Sequence, residues 1–547
     1  MKKILSSSLL LVLALSATAA PRTMKQKKSA ALSALCRIGN NGARPMRAPL
    51  NAELKTLDAS DAYTILGYEE GGFAIIANDD RNEAIVGYSD AAYQSANLPD
   101  GMKWYLAALN EALDNTDATR YTFMPKLEQA GGVAPLMECE WGQSAPFNNL
   151  VPHSYPTGCV ATAMAQIFYT NKYPESGQGK KFDSNTRKMI DFSTFTYDYS
   201  SMLPSYGGKY SNTQAKAVAQ LMYHCGLAAN MDYNASGSGT GVDDARSASI
   251  DYFKYNANAN VHYRYVRHLE DWMDLIYSEI DAKRPILFGA SDKNGTGGHA
   301  FVFDGYNSDG LVHVNWGWDG DCNGYYDMSL LNPTDSYNNK YQYSQGQAML
   351  TGLGKPTDDI IRVSEIITKD NFTLTYANGE VSCPAFSFYN HNYYDFNGVW
   401  FLVLAGVTNP DYFKAITGYS FEKNPIAGID EEGRMKGINL GAYSAELPKG
   451  LPDGVYLIYN CVQDNGSNYV NLITAPDGVN QYYTLEKKGT SITLSEGVVT
   501  TGISSVVAGA NKKLDGSVYS IDGHKLSGSL DVQPSGLYIV NGKKVIK

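Results

Sequence analysis

Apolar positions recur along this chain in two rhythms, and the switches between them lay out its organisation. In YPTGCVATAMAQIFY, residues 155–169, Val160, Ala163, Met164, Ile167 and Phe168 stand at i, i+3, i+4, i+7 and i+8. That spacing gathers them on one face of an α-helix, so the stretch predicts a helix starting near Cys159. Pro156 belongs ahead of the helix, and Thr157 offers a hydroxyl that can cap its first turn. NTQAKAVAQLMYHCGLAANM, from residue 212, has a second helical face, and GMKWYLAALNEALDN, from residue 101, a third.

The other rhythm is that of strands. RPILFGA (284–290), HAFVFDGY (299–306) and LVHVNWGW (311–318) read as strands, the last two joined by the turn Asn307-Ser308-Asp309-Gly310. Helices first and sheet after make residues 131–355 an α+β domain. Upstream, YTILGYEEGGFAIIANDDRNEAIVGYSD, from residue 63, gives two or three strands around Glu69-Glu70-Gly71-Gly72, so 21–130 is a smaller α+β unit. Its end, DNTDATRYTFMPKLEQAGGVA (114–134), has weak periodicity and reads as an exposed linker open to nicking. Residues 356–495 are all-β in pattern, with short runs such as NGVWFLVLAGV and GVYLIYNCVQD between Gly/Asn/Asp turns, and a β-sandwich is expected. Residues 496–547 add strand–turn–strand patterns and a basic tip.

At 547 residues the chain is too long for one core, as this division requires. Lys2 and Lys3 precede an apolar run, Ile4 to Leu15, followed by Ala17-Thr18-Ala19, so residues 1–20 read as a secretory signal peptide. No later run approaches the roughly 18 apolar residues of a membrane span, so no integral span is expected. The net charge of −11, without a concentrated basic patch, argues against a nucleic-acid partner. Seven cysteines (36, 139, 159, 225, 322, 383 and 461) show no C-x-x-C and no Cys/His pairing, so no metal site is expected. Their odd number leaves at least one free thiol in an exported protein.

Cys159 is the thiol whose position suggests chemistry. In the first turn of a helix, unpaired N–H groups and the positive dipole end favour a thiolate, which is the nucleophilic form. The plainer reading is a small buried hydrophobe, the commonest fate of a free cysteine. A nucleophile needs a base, and His299 opens a strand behind Gly297-Gly298, where a substrate backbone could approach closely. Asn315, on the next strand, could orient that imidazole and Trp316 could shield it. The simplest hairpin register, Tyr306 opposite Leu311, turns Asn315 to the other face, so this role requires a bulge or another register; a tryptophan-stabilised hairpin with no catalytic part is equally open. Gln143, sixteen residues before Cys159, has an amide able to donate to an oxyanion beside the Cys159 N–H.

Taken together, WGQSAPFN, TGCVATAMAQI, MDYNASGS, GGHAFVFDGY and HVNWGW, in that order, resemble the streptopain family of papain-like cysteine peptidases, bacterial exported enzymes made as zymogens. The resemblance covers roughly residues 60–355. It implies Cys159 as nucleophile, His299 as base and acid, Gln143 as oxyanion donor, and Asn315 and Trp316 as orienter and cover. Ser238 and Gly298 match positions lining the substrate cleft, the former across a one-residue gap. Residues 21–130 would then be an inhibitory propeptide. SGLYIVNGKKVIK resembles the sorting tails of type IX secretion, which implies a secreted or surface-held protein attached at the outer membrane through that tail. The implied function is a zymogen endopeptidase acting on protein or peptide substrates without a cofactor. Two other readings stay open: a thiol hydrolase or transferase acting on cell-wall peptides, and a surface adhesin with a vestigial peptidase core.

Overall fold

In the computed structural model, residues 20–37, 53–114, 132–291, 298–331, 346–358, 360, 365–407, 412–430, 434–465, 470–476 and 479–497 are described, with short strands at 518–520, 537–540 and 543–546. The expected signal peptide to residue 19, nearly all of the 114–134 linker and most of the C-terminal tail lie outside them.

The N-terminal segment comprises α1 (Met24–Arg37), β1 (Lys55–Ala59), β2 (Tyr63–Gly67), β3 (Phe73–Ala77), β4 (Ile85–Ser89) and α2 (Asp100–Asp114). The central region begins with α3 (Cys159–Asn171), the hairpin β5 (Lys180–Asp183) and β6 (Lys188–Asp191), α4 (Asn212–Ala228) and α5 (Val242–Asp251). It continues through β7 (Asn260–Tyr263), α6 (Leu269–Asp281), β8 (Ile286–Ser291), β9 (Gly298–Tyr306), β10 (Val312–Asn315), β11 (Gly324–Tyr326) and β12 (Ala348–Thr351). The α+β expectation for this region matches these elements. Helices α1, α5 and α6 had not been read from the pattern: α5, VDDARSASID, buries little more than two alanines and a serine, too little apolar periodicity to see.

The two regions share one antiparallel sheet of ten strands, in the order β1-β2-β3-β4-β11-β10-β9-β8-β12-β7. At the seam, Gly87, Tyr88 and Ser89 pair with Tyr326, Tyr325 and Gly324. Gly324 permits this approach, since a Cβ there would lie 2.3 Å from the Tyr88 carbonyl oxygen. The Ser89 hydroxyl adds a 2.6 Å bond to the Asn323 carbonyl. The change of character that the sequence shows near residue 130 is therefore not an edge in the sheet.

Both faces of the sheet are covered, which explains why its central strands are apolar throughout rather than alternating. Along β9, Phe301 and Phe303 pack into a core shared with α2, α6 and the N-terminal strands. Ala300 and Val302 face the other core, made largely by α3, α4 and α5. Helix α3 is buried from Val160 to Tyr169, on more than the one face its periodicity marks.

The C-terminal region is all-β. Its strands are β13 (Ile366–Ile367), β14 (Thr375–Ala377), β15 (Glu380–Cys383), β16 (Phe386–Asn390), β17 (Val399–Gly406), β18 (Phe413–Ser420), β19 (Lys436–Leu440), β20 (Tyr443–Glu446), β21 (Gly454–Gln463), β22 (Val470–Leu472), β23 (Tyr482–Lys488) and β24 (Ser491–Glu496). They form two three-stranded sheets, β13-β16-β19 and β14-β15-β20, and a larger one centred on β17 and β21. Their side chains meet around fully buried Trp400 and Phe388. The strands β25 (Val518–Ser520), β26 (Leu537–Val540) and β27 (Lys543–Ile546) extend the large sheet beyond β22. Among the described residues, no helix is long and apolar enough to cross a membrane.

Helix α4 buries a titratable group that makes stability depend on pH. His224 is 4% exposed and its Nδ1 lies 2.9 Å from the Tyr197 hydroxyl. Burial lowers its pKa to about 4, so the fold holds it neutral where the unfolded chain would protonate it. Its contribution is complete above about pH 6.5 and is lost as pH falls toward 4, amounting to about 3 kcal/mol. Urea unfolding followed between about pH 7.5 and 4.5 should show this slope, and His224→Gln should flatten it.

Candidate active site

The helix carrying Cys159 starts without a side-chain cap. The Thr157 hydroxyl, expected to cap it, instead meets the Thr162 hydroxyl at 2.8 Å, and Thr162 bonds the Gly158 carbonyl at 3.0 Å. Gly158 is the N-cap, with φ 86° and ψ 139°, a conformation open essentially to glycine alone. A Cβ at this position would also lie 2.5 Å from Met231 Sδ and 3.0 Å from the Ser238 carbonyl oxygen. Cys159 is therefore the first helical residue, half-buried, with its backbone direction fixed by its predecessor.

Cys159 packs against the core to which Ala300 of β9 belongs. Burial raises the Cys159 pKa and dominates; N–H groups of Ala300, Val160 and Cys159 itself favour the thiolate, and the carboxylate of Asp100 at the start of α2 opposes it. The lowering expected from a helix start is thus outweighed in this state of the chain. Ala300 is the residue that follows His299 in β9. His299 is half-buried and pairs with Ala290, while Gly298, exposed, pairs with Ser291 at the strand's first position.

Asn315 ends β10, 2% exposed. The hairpin starts with Val312 opposite Tyr306 and His313 opposite Gly305, then shifts so that Val314 faces Phe303 and Asn315 faces Val302. The bulge falls on Asp304. It leaves Asn315 on the side of Val302, and strand alternation sets His299 on the side of Phe301. The Asn315 amide donates to the Cys139 carbonyl at 2.8 Å, and its side-chain oxygen accepts the Gly317 N–H at 3.0 Å. Trp316 turns to the other face, where its ring centroid is 4.6 Å from that of Phe301 and its indole N–H bonds the Cys322 carbonyl. Gly101 of α2 sits so close that a Cβ would be 2.8 Å from the Trp316 ring. The N-terminal segment thus covers Trp316 directly.

Gln143 is half-buried, and its backbone carbonyl accepts the Thr157 N–H at 3.1 Å, which ties its loop to the residues before Cys159. Ser238 is buried; its hydroxyl donates to the Pro156 carbonyl at 2.7 Å, from the opposite side of that same loop.

Sequence reasoning had passed over several polar residues that hold this arrangement. Buried Asn148 donates to the carbonyls of Ser154 (2.7 Å) and Tyr155 (3.2 Å), just where His153 and Ser154 adopt positive φ. Gln166, one polar residue in the apolar α3, accepts the Trp141 N–H at 3.4 Å. Asp304 bonds His313 Nδ1 at 2.6 Å and the Met137 N–H at 2.9 Å. Asp304, Asn315 and Gln166 together pin the segment 137–141 that leads to Gln143. A polar residue inside an apolar helix or at a strand's buried position was the available signal.

Residues 141–326 match the Peptidase C10 family, and residues 18–113 match the Spi protease inhibitor. A solved prointerpain A fragment of Prevotella intermedia is 36% identical, with a TM-score of 0.50, over 55% of this chain and 99% of that one. The chain belongs to the peptidase C10 family. It is a cysteine-type peptidase by that membership, with a papain-like fold in its central region. The thiol protease/hemagglutinin PrtT of Porphyromonas gingivalis is 34% identical over 293 residues, 48% of this chain, and the chain spans 33% of that protein's length. Streptopain of Streptococcus pyogenes is 29% identical over 307 residues, 51% of this chain and 76% of streptopain. The C10 match encloses Gln143, Cys159, Ser238, Gly298, His299, Asn315 and Trp316, and the inhibitor match ends one residue short of the end of α2.

Since burial holds the thiol up, alkylation of the full-length protein by iodoacetamide should keep accelerating above about pH 9, beyond a free cysteine's midpoint. Gly158→Ala should cost about 2 kcal/mol or more through strain and the Met231 contact. A Gly158→Ala chain with unchanged melting temperature would contradict this account of the helix start.

Proposed function

We propose that this C10 peptidase is an exported zymogen whose mature form is an endopeptidase with Cys159 as nucleophile and His299 as general base and acid. The observation that carries the reading is the packing of the α3 start against β9, where Cys159 lies against the core that contains Ala300, the residue after His299. In the proposed cycle the thiolate attacks a peptide carbonyl carbon and the carbon–sulfur bond forms. The oxygen gains charge, held by the Cys159 N–H and the Gln143 amide. His299 gives its proton to the leaving nitrogen as the C–N bond breaks, then takes one from water that releases the acyl group and restores the thiolate. Ser238 and Gly298 would border the substrate on either side of the nucleophile. No metal or organic cofactor enters this cycle.

Latency follows from the shared sheet. The N-terminal segment packs on the face of β9 to which strand alternation directs His299, and α2 lies against Trp316. Removing residues 21–113 would free that face, let the imidazole turn toward Cys159, and lower the thiol's pKa through a cationic neighbour. Cutting would fall between about residues 114 and 134, where weak periodicity and small residues favour an exposed chain. The C-terminal strands, the last of which opens on Lys543 and Lys544, fit a sorting tail for export and surface retention.

Cys159→Ala should abolish casein hydrolysis and accumulate as a precursor that lacks only its leader. His299→Ala should lower kcat/KM on the order of 10³-fold, since nucleophile and base act as a unit. Asn315→Ala should cost less, through displacement of the 137–143 segment. Casein cleavage by purified Cys159→Ala protein at the parent rate would remove the assignment.

A further inference from the structure

The C-terminal β region grips the peptidase domain around α5 and β7. Tyr393, three residues past β16, packs against the core that contains α3 and α4. Its hydroxyl donates to the Asp243 carboxylate in the first turn of α5, and the Tyr263 hydroxyl of β7 donates to the other oxygen. The Arg246 guanidinium lies 4.0 Å over the Tyr393 ring and is itself held by the Ala259 carbonyl at 2.7 Å. Beside this contact, Glu365 of the β region is 1% exposed and pairs with His262 at 2.6 Å and Arg267 at 2.8 Å. The His391 N–H bonds the Glu365 carbonyl at 2.9 Å, and the His391 ring meets Tyr263 edge-on at 5.0 Å. Charges so deeply buried hold only where both partners are in place, so the two regions are fixed to each other.

What the grip holds is close to the nucleophile. Asp243 follows Gly241, the N-cap of α5, and the chain before it forms the loop 232–241. That loop is closed by paired bonds between Asp232 and Gly239, at 3.0 and 3.1 Å. Ser238 in it bonds Pro156, and its carbonyl borders Gly158. Contacts are therefore continuous from Tyr393 through Asp243 and the loop to the residue that sets the direction of Cys159.

We propose that Tyr393 is a positioning residue for the peptidase: through Asp243 it holds the loop 232–241 in register with Pro156 and Gly158, making the β region part of the catalytic architecture. The proposal rests on Cys159 being the nucleophile and on Ser238 bordering the substrate.

The test is made in the full-length chain. Hydrogen exchange is read at the Asp232 and Gly239 amides in the Cys159→Ala background, and KM and kcat for a short fluorogenic peptide are read in the processed enzyme. Tyr393→Phe should raise exchange at these amides about tenfold, the worth of one bond to a charged group. It should raise KM roughly threefold to tenfold with kcat within about twofold. Tyr456→Phe, which removes a 2.8 Å bond to the Pro452 carbonyl within the β region, should change neither. Asp243→Asn, which weakens the contact from the peptidase side, should reproduce Tyr393→Phe and guards against a folding defect confined to the β region. Unchanged exchange in both Tyr393→Phe and Asp243→Asn, or an equal rise in Tyr456→Phe, would overturn the proposal. Faster exchange with unchanged KM upholds the grip and instead removes Ser238 from the substrate border.

Discussion

Everything near the candidate site depends on strand β9 being buried on both faces. One face meets α3, whose first residue is Cys159; the other meets a core built partly by the N-terminal segment. Polar groups cannot be left unpaired in such a place, and the bulge at Asp304 is one result. By turning one carboxylate out of the ladder, it receives His313 and the Met137 N–H together. The same shift sends Asn315 toward Cys139 and fixes the approach to Gln143. Strand, bulge and loop are thus one construction, in which the position of the nucleophile and that of a candidate oxyanion donor are set by the same buried hydrogen bonds.

The parts of this that were legible in the sequence are those with strong period. Helix α3 and strands β8 to β10 announce themselves because each has a long apolar face, and glycines and asparagines mark the turn between β9 and β10. The hairpin's bulge could not be read, because inserting one residue leaves the apolar pattern of HAFVFDGY intact; it alters the pairs next to the turn, while Asn315 faces Val302 as the simplest register has it. Thr157 shows a related limit. A hydroxyl before a helix suggests a cap, but Gly158 intervenes with a positive φ and sends the hydroxyl to Thr162 instead. The joint sheet was hidden too, since β4 and β11 are more than 200 residues apart and their pairing uses two glycines, three tyrosines and a serine with no distinctive pattern.

The thiol shows how local and global effects compete. A helix start favours the thiolate, and three N–H groups here do so, but desolvation by the surrounding protein is the larger effect. The acidity of this thiol therefore follows its burial more than its helix. The N-terminal segment adds to this through charge, since the Asp100 carboxylate also disfavours the thiolate.

The seam between β4 and β11 decides what edge the proposed removal of residues 21–113 would leave. A strand that loses its neighbour presents a row of unpaired N–H and C=O groups, which invites any extended chain to take the vacant place. Here the strand left open would be β11, only three residues long, with Gly324 at one end. So brief an edge gives little purchase to a second copy of the enzyme or to an aggregating strand. Its brevity also means that the N-terminal segment is held less by backbone pairing than by the packing of α2 and its neighbours.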